Sequence, residues 1–192
     1  MIELKSLNRP LVITGCPRSG TTYASKYLQA NGFDVRHEEL GPDGVVGWCI
    51  GGGNSEKQYG PSYNESESFY QDPIRLHQVR EPLACISSLM TINDKSMSFF
   101  RRAFRMNPAN EGLLSCAMKI WYYWNLKCEE VTEFTYKVED IDYILLGDKT
   151  HPDKKENGRA HDLVSWGDLT KTNLSLTYKI VDLASDYGYV GN

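Results

Sequence analysis

Short apolar runs alternate with amphipathic stretches along the first half of this chain, each run bounded by turn residues in the manner of a strand. Leu11-Val12-Ile13 gives Pro10–Gly15 the continuous apolar character of a strand buried on both faces of a parallel sheet. A helix is predicted from Thr21 to Asn31, with Tyr23, Ala24, Tyr27 and Leu28 as its apolar stripe and Asn31-Gly32 as its stop. Phe33–Arg36 reads as a second strand ending at His37-Glu38-Glu39. Residues 40–73 break the pattern. Gly51-Gly52-Gly53, Gly60-Pro61 and the polar run at 64–68 exclude a long regular element and leave room only for short helical pieces. Ile74–Val79 is a third strand with Arg80 at its end, and Glu81-Pro82 opens a helix that buries Ala84, Ile86, Leu89 and Met90. A basic amphipathic segment, Phe99–Met106, leads to a long helix from Glu111 to Val131 with Leu113, Leu114, Ala117, Ile120, Trp121 and Trp124 inward. Phe134–Val138 is a further strand, Asp140–Leu146 a short helix, 147–162 a charged loop, and Thr172–Tyr187 a closing helix.

Strand–helix alternation of this kind predicts an α/β fold, a parallel sheet flanked by helices, with ligands gathered at the strand C-terminal ends. The 192 residues fit one small domain, 1–192, and 41% hydrophobic against 24% charged residues describe an ordinary globule. A net charge of −4 argues against a general nucleic-acid binder, though it says little about one cleft. Five scattered cysteines, none in a C-x-x-C pair, suggest reduced thiols, and the four histidines do not cluster with them at zinc-ligand spacing. Asn64-Glu65-Ser66 and Asn173-Leu174-Ser175 match the glycosylation sequon, but the chain opens without a signal-peptide pattern and no apolar run approaches eighteen residues. The expectation is a cytoplasmic protein without a membrane span. Oligomeric state leaves no sequence signal.

The chemistry concentrates at three strand ends. Gly15 and Gly20 hold the spacing of a phosphate-binding P-loop and Thr22 its hydroxyl position, but Thr21 stands where a nucleotide hydrolase needs lysine. The cation has moved to Arg18. Backbone N–H groups and a helix N-terminus still suit such a loop to a phosphate ester. The third strand ends in Arg80 where a nucleotide hydrolase needs an acidic residue for Mg²⁺, so an anion held here needs no metal. Between them lies His37-Glu38-Glu39, a source of a general base. Trp121, Tyr122, Tyr123 and Trp124 fall at helical spacing and read as core plus rim.

Pro17-Arg18-Ser19-Gly20-Thr21-Thr22 resembles the 5′-phosphosulfate loop of sulfotransferases that use 3′-phosphoadenosine 5′-phosphosulfate (PAPS), closest to the tyrosylprotein and bacterial branches, which carry Arg where the cytosolic branch has Lys. Arg80 and Ser88 match the eight-residue spacing of that family's 3′-phosphate site, with Ser87 beside them. His37-Glu38, Gly41, Asp43-Gly44 and Trp48 look like the bacterial form of the segment that holds the catalytic glutamate. Asn157-Gly158-Arg159-Ala160-His161, followed by Ser165-Trp166-Gly167-Asp168-Leu169, resembles the late loop over the cofactor.

The resemblance implies a P-loop NTPase-like fold that passes a sulfuryl group from PAPS to a hydroxyl or amine of a small-molecule or carbohydrate acceptor, leaving 3′,5′-adenosine bisphosphate. Pro17, Ser19, Gly20, Thr21 and Thr22 would hold the 5′-phosphosulfate, and Arg18 would stabilise the departing oxygen. Glu38 or Glu39 would act as base, with His37 as a third candidate. Arg80, Ser88 and Arg159 would hold the 3′-phosphate, with Lys154 and Lys155 as substitutes for Arg159. Two other classes share the loop: a non-catalytic nucleotide-binding protein and a P-loop nucleotide kinase.

Overall fold

The computed structural model describes residues 9–52, 59–144, 149–152 and 162–189. Strand β1 (Leu11–Gly15) stands at the centre of a five-stranded, all-parallel sheet. It is flanked by β3 (Gly44–Val46) on one side and β4 (Ile74–Val79) on the other, with β2 (Val35–His37) and β5 (Phe134–Lys137) at the two edges. The chain therefore runs out to β2, returns through β3 beside β1, and crosses over β1 to build the other half. Such a reversal of strand order opens a crevice at the strand C-terminal ends.

β1 carries the period of a strand buried on both faces. Leu11 and Ile13 pack with Ala24, Tyr27 and Leu28 of helix α1 (Thr21–Ala30) and with Val35, while Val12 faces Trp121 and Trp124 on the opposite side. The approach of β3 to β1 is close enough to require glycine. Gly44 has φ +146°, and a Cβ there would lie 2.0 Å from the Leu11 carbonyl oxygen.

Residues 40–73 hold more order than their composition suggests. Beyond β3 they contain a 3₁₀ turn at Trp48–Gly52 and helix α2 (Tyr63–Phe69). The polar run at 64–68 is helical because Ser62 and Glu65 form a reciprocal capping box at its start. Three residues are too few to display a strand period, which is why β3 is invisible in the sequence.

On the far face, α3 (Pro82–Leu89), α4 (Asp94–Phe104), the short α5 (Pro108–Glu111) and the long α6 (Leu113–Glu129) precede β5. A 3₁₀ segment, Val138–Tyr143, stands where a short helix over 140–146 is predicted. The carboxyl end forms α7 (Trp166–Thr172) and α8 (Leu174–Asp186), so part of the predicted late loop is helical. Trp121 and Trp124 are buried, and the Trp124 ring meets Trp48, Phe99 and Phe100 at centroid separations of 5.7, 5.7 and 5.1 Å. Truncating such a tryptophan to alanine costs about 3–5 kcal/mol. Tyr123 is 39% exposed and forms the rim. All five cysteines are buried and free. Among the described residues no helix is long and apolar enough to cross a membrane.

Candidate functional site

The loop between β1 and α1 is held from behind by side chains of the two strands on its right. Gln78 Nε2 donates to the Ser19 carbonyl at 2.9 Å, and Tyr136 donates its hydroxyl proton to Gln78 Oε1 at 2.6 Å. Arg80 donates to the Arg18 carbonyl at 2.9 Å, and the Cys85 thiol reaches the Pro17 carbonyl at 3.6 Å. Ser19 N closes the turn on the Cys16 carbonyl at 3.0 Å. Gly20 adopts φ +96° and Arg18, without glycine's freedom, adopts φ +71°. A left-handed arginine costs on the order of 1 kcal/mol or more, and such strain gathers at functional sites.

Helix α1 begins without a side-chain cap, and no acidic residue stands in its first turn. Its N-terminal amides and positive dipole end are thus directed at the space in front of the loop. Ser19 Oγ is buried close to Gly15 and has no hydrogen-bond partner among the described residues.

That space is a cleft of about 300 Å³. Its walls include Pro17, Arg18, Gly20, Thr21, Thr22, His37, Glu38, Trp48, Arg80 and Ser88. Residues from three strand ends, as far apart as 18 and 88, therefore share one crevice. Arg18 Nε donates to Ser88 Oγ at 2.8 Å, so Ser88 is engaged by the loop arginine and not by Arg80. Ser87, its neighbour, is committed to structure. It donates to the Leu83 carbonyl at 2.6 Å and accepts from Val164 N at 2.9 Å, which ties α3 to the segment before α7.

Opposite the arginines lies the end of β2. His37 Nε2 is 3.1 Å from Thr21 Oγ1 and 3.3 Å from Thr22 Oγ1, and 4.0 Å from Glu38 Oε1. Burial pushes the His37 pKa down, which keeps the ring neutral between the hydroxyls and the carboxyl. Glu38 also has a left-handed backbone, φ +56°, held by its N–H on the Val46 carbonyl at 2.8 Å. Burial raises its pKa above the ordinary carboxylate range, and the polar indole N–H of Trp48, on the same cleft wall, opposes that rise. A carboxyl so shifted is suited to receive a proton.

Glu39 faces elsewhere. It accepts from Arg36 at 2.7 Å and lines a separate groove. Arg159, with Lys154, Lys155 and His161, lies outside the described residues. Trp48, which shares the cleft wall with Glu38 and offsets the rise of its pKa, had no assigned role in the sequence beyond its place in the bacterial pattern. Among the described residues no group of three His, Cys, Asp or Glu side chains could hold a metal ion. Compared with family models, curated proteins and solved structures, the chain matches none.

Proposed function

We propose that this protein is a PAPS-dependent sulfotransferase, built on a P-loop-like α/β scaffold, that sulfates a hydroxyl or amine acceptor. One observation carries the reading: an uncapped helix N-terminus, two arginines, two threonines and a proton-accepting carboxyl converge on a single cleft. Two guanidinium groups and the α1 dipole favour a doubly anionic ligand over a neutral one. Thr21 in place of lysine, and Arg80 in place of an acidic strand end, weigh against metal-assisted transfer of a γ-phosphate.

The residues present fit the donor, because the uncapped α1 amides face the cleft and Arg18, Thr21, Thr22 and Arg80 lie within the same walls. The donor supplies a sulfuryl group whose S–O bond to the 5′-phosphate breaks as the acceptor oxygen bonds to sulfur. Glu38 takes the acceptor proton. Arg18 and the α1 amides stabilise the negative charge that collects on the departing phosphate oxygen. Thr21 and Thr22, fixed by His37, orient the sulfuryl oxygens, and Arg80 holds the distal phosphate.

Calorimetry with 3′,5′-adenosine bisphosphate, set against ATP with Mg²⁺, tests the assignment directly. The bisphosphate should bind more tightly, and sulfuryl transfer should persist in excess chelator. Preference for ATP with Mg²⁺, or activity abolished by chelator and restored by Mg²⁺, would establish the kinase reading instead.

A further inference from the structure

Behind Glu38 lies a second hollow, a groove of about 700 Å³ walled by Glu38, Glu39, Leu40, Pro61, Glu65 and Phe69. Among the described residues, Glu38 is the one that lines both this groove and the loop cleft. Anything seated in the groove therefore approaches the anion cleft past that carboxyl.

The groove has a pronounced chemical character. Three carboxylates line it, and no lysine or arginine is among the described residues of its wall. Arg36 stands behind Glu39 but divides its guanidinium between Glu39 and Asp34, so among the described residues carboxylates outnumber cations at this rim. Phe69 is 58% exposed and presents its ring to the opening. Its seat is rigid, because the ring stands edge-on to Tyr70 at 4.9 Å and Tyr70 is pinned by two hydrogen bonds to Gly41, 2.8 and 3.1 Å. Gly60 closes the floor beneath Glu38. A Cβ there would lie 2.9 Å from the Glu38 carbonyl and 3.0 Å from Glu38 Cβ, so the glycine lets the groove reach the carboxyl.

We infer that the groove is the acceptor site and that the acceptor is a small hydroxyl compound carrying a positive charge on an apolar or aromatic body. This rests on the sulfotransferase reading. The body lies on Phe69, the cation is met by Glu65 and Glu39, and the hydroxyl is delivered to Glu38. A volume of this size suits a small organic molecule. An aromatic face beside carboxylates attracts a cation by charge and by the ring quadrupole together. An anionic acceptor is repelled by the same wall, which gives discrimination as well as attraction.

The test uses three phenols that differ only in charge: tyramine, N-acetyltyramine and 3-(4-hydroxyphenyl)propionate. Binding is measured by calorimetry with and without saturating 3′,5′-adenosine bisphosphate, which is itself titrated separately. Tyramine should bind at least about fivefold more tightly than its neutral analogue, with the anion weakest. Glu65→Gln, which keeps the capping box, should cut that preference about threefold. Phe69→Ala should weaken the cationic and neutral phenols about three- to tenfold. Equal affinities, preference for the anion, no binding of any phenol, or a preference untouched by both substitutions would overturn the inference. If the bisphosphate fails to bind while tyramine keeps its advantage, the transferase reading falls and the cation groove stands.

Discussion

Arg18 Nε donates to Ser88 Oγ at 2.8 Å across seventy positions of chain, joining the loop after β1 to the helix after β4. Arg80 donates to the Arg18 carbonyl at 2.9 Å, and both arginines line the same cleft. An anion bound in that cleft is attracted by both charges. The pair thus defines the charge of the ligand more firmly than either residue alone.

Arg80→Ala should weaken 3′,5′-adenosine bisphosphate about 10- to 100-fold, the scale of one charge-assisted hydrogen bond of ~1.5–3 kcal/mol. Adenosine 5′-phosphate, which lacks the 3′ group, should lose much less. Calorimetry on both nucleotides reads the difference. Equal losses would show that Arg80 only braces the loop.

Glu38→Gln should lower kcat by about 10²–10⁴-fold, the range for general-base catalysis, with little change in bisphosphate affinity. Glu39→Gln should cost at least about tenfold less in kcat, because its carboxylate is paired with Arg36 outside the cleft. A reversed ranking in steady-state rates would move the base to Glu39.

Trp48 is expected to act by positioning Glu38. Activity requires the ionised carboxyl, so the rate should fall as pH drops through a value above the ordinary glutamate range. Trp48→Phe keeps an aromatic ring in contact with Phe99, Phe100 and Trp124 but removes the indole N–H. The acid limb of the pH–rate profile should move further up and kcat should fall more than KM rises. A limb that stays in place would mean that the indole only fills space.

His77 gives the pH dependence of stability. It is fully buried between Asn125 and Thr135, and burial lowers its pKa from 6.5 to about 4. The unfolded chain therefore takes up a proton between pH 6.5 and 4 that the folded chain refuses. The stabilisation is present above pH 6.5 and drains away as pH falls through 4, on the order of 3 kcal/mol in total. His37 shifts in the same direction, and the raised Glu38 opposes it. Chemical denaturation across this range should show the slope, and His77→Asn should flatten it. A slope unaltered by that substitution would assign the loss to other groups.

The parallel sheet was legible because β1 and β4 are long enough to declare themselves by apolar runs flanked by turn residues. The order of the strands was not, since β3 contributes only Gly44, Val45 and Val46. That omission hid part of the site as well. Val46 holds the Glu38 backbone, and the turn after β3 carries Trp48 under its carboxyl. Placing strand ends in one crevice sufficed to gather Arg18, His37, Glu38, Arg80 and Ser88. It did not reveal that Ser88 bonds to Arg18, because a spacing of eight residues speaks only of position along one helix. The helix at Tyr63–Phe69 was obscured for another reason: its stability comes from a cap and not from an apolar stripe.

Gln78 lies in register with Gly15 on one side and Tyr136 on the other, and it hands the edge-strand hydroxyl on to the Ser19 carbonyl. The seven residues from Cys16 to Thr22 are consequently not a portable cassette. Grafted between another strand and helix they would keep their glycine and their arginine but lose the side-chain brace that reaches them through the sheet, and with it the pose that points their amides at one place.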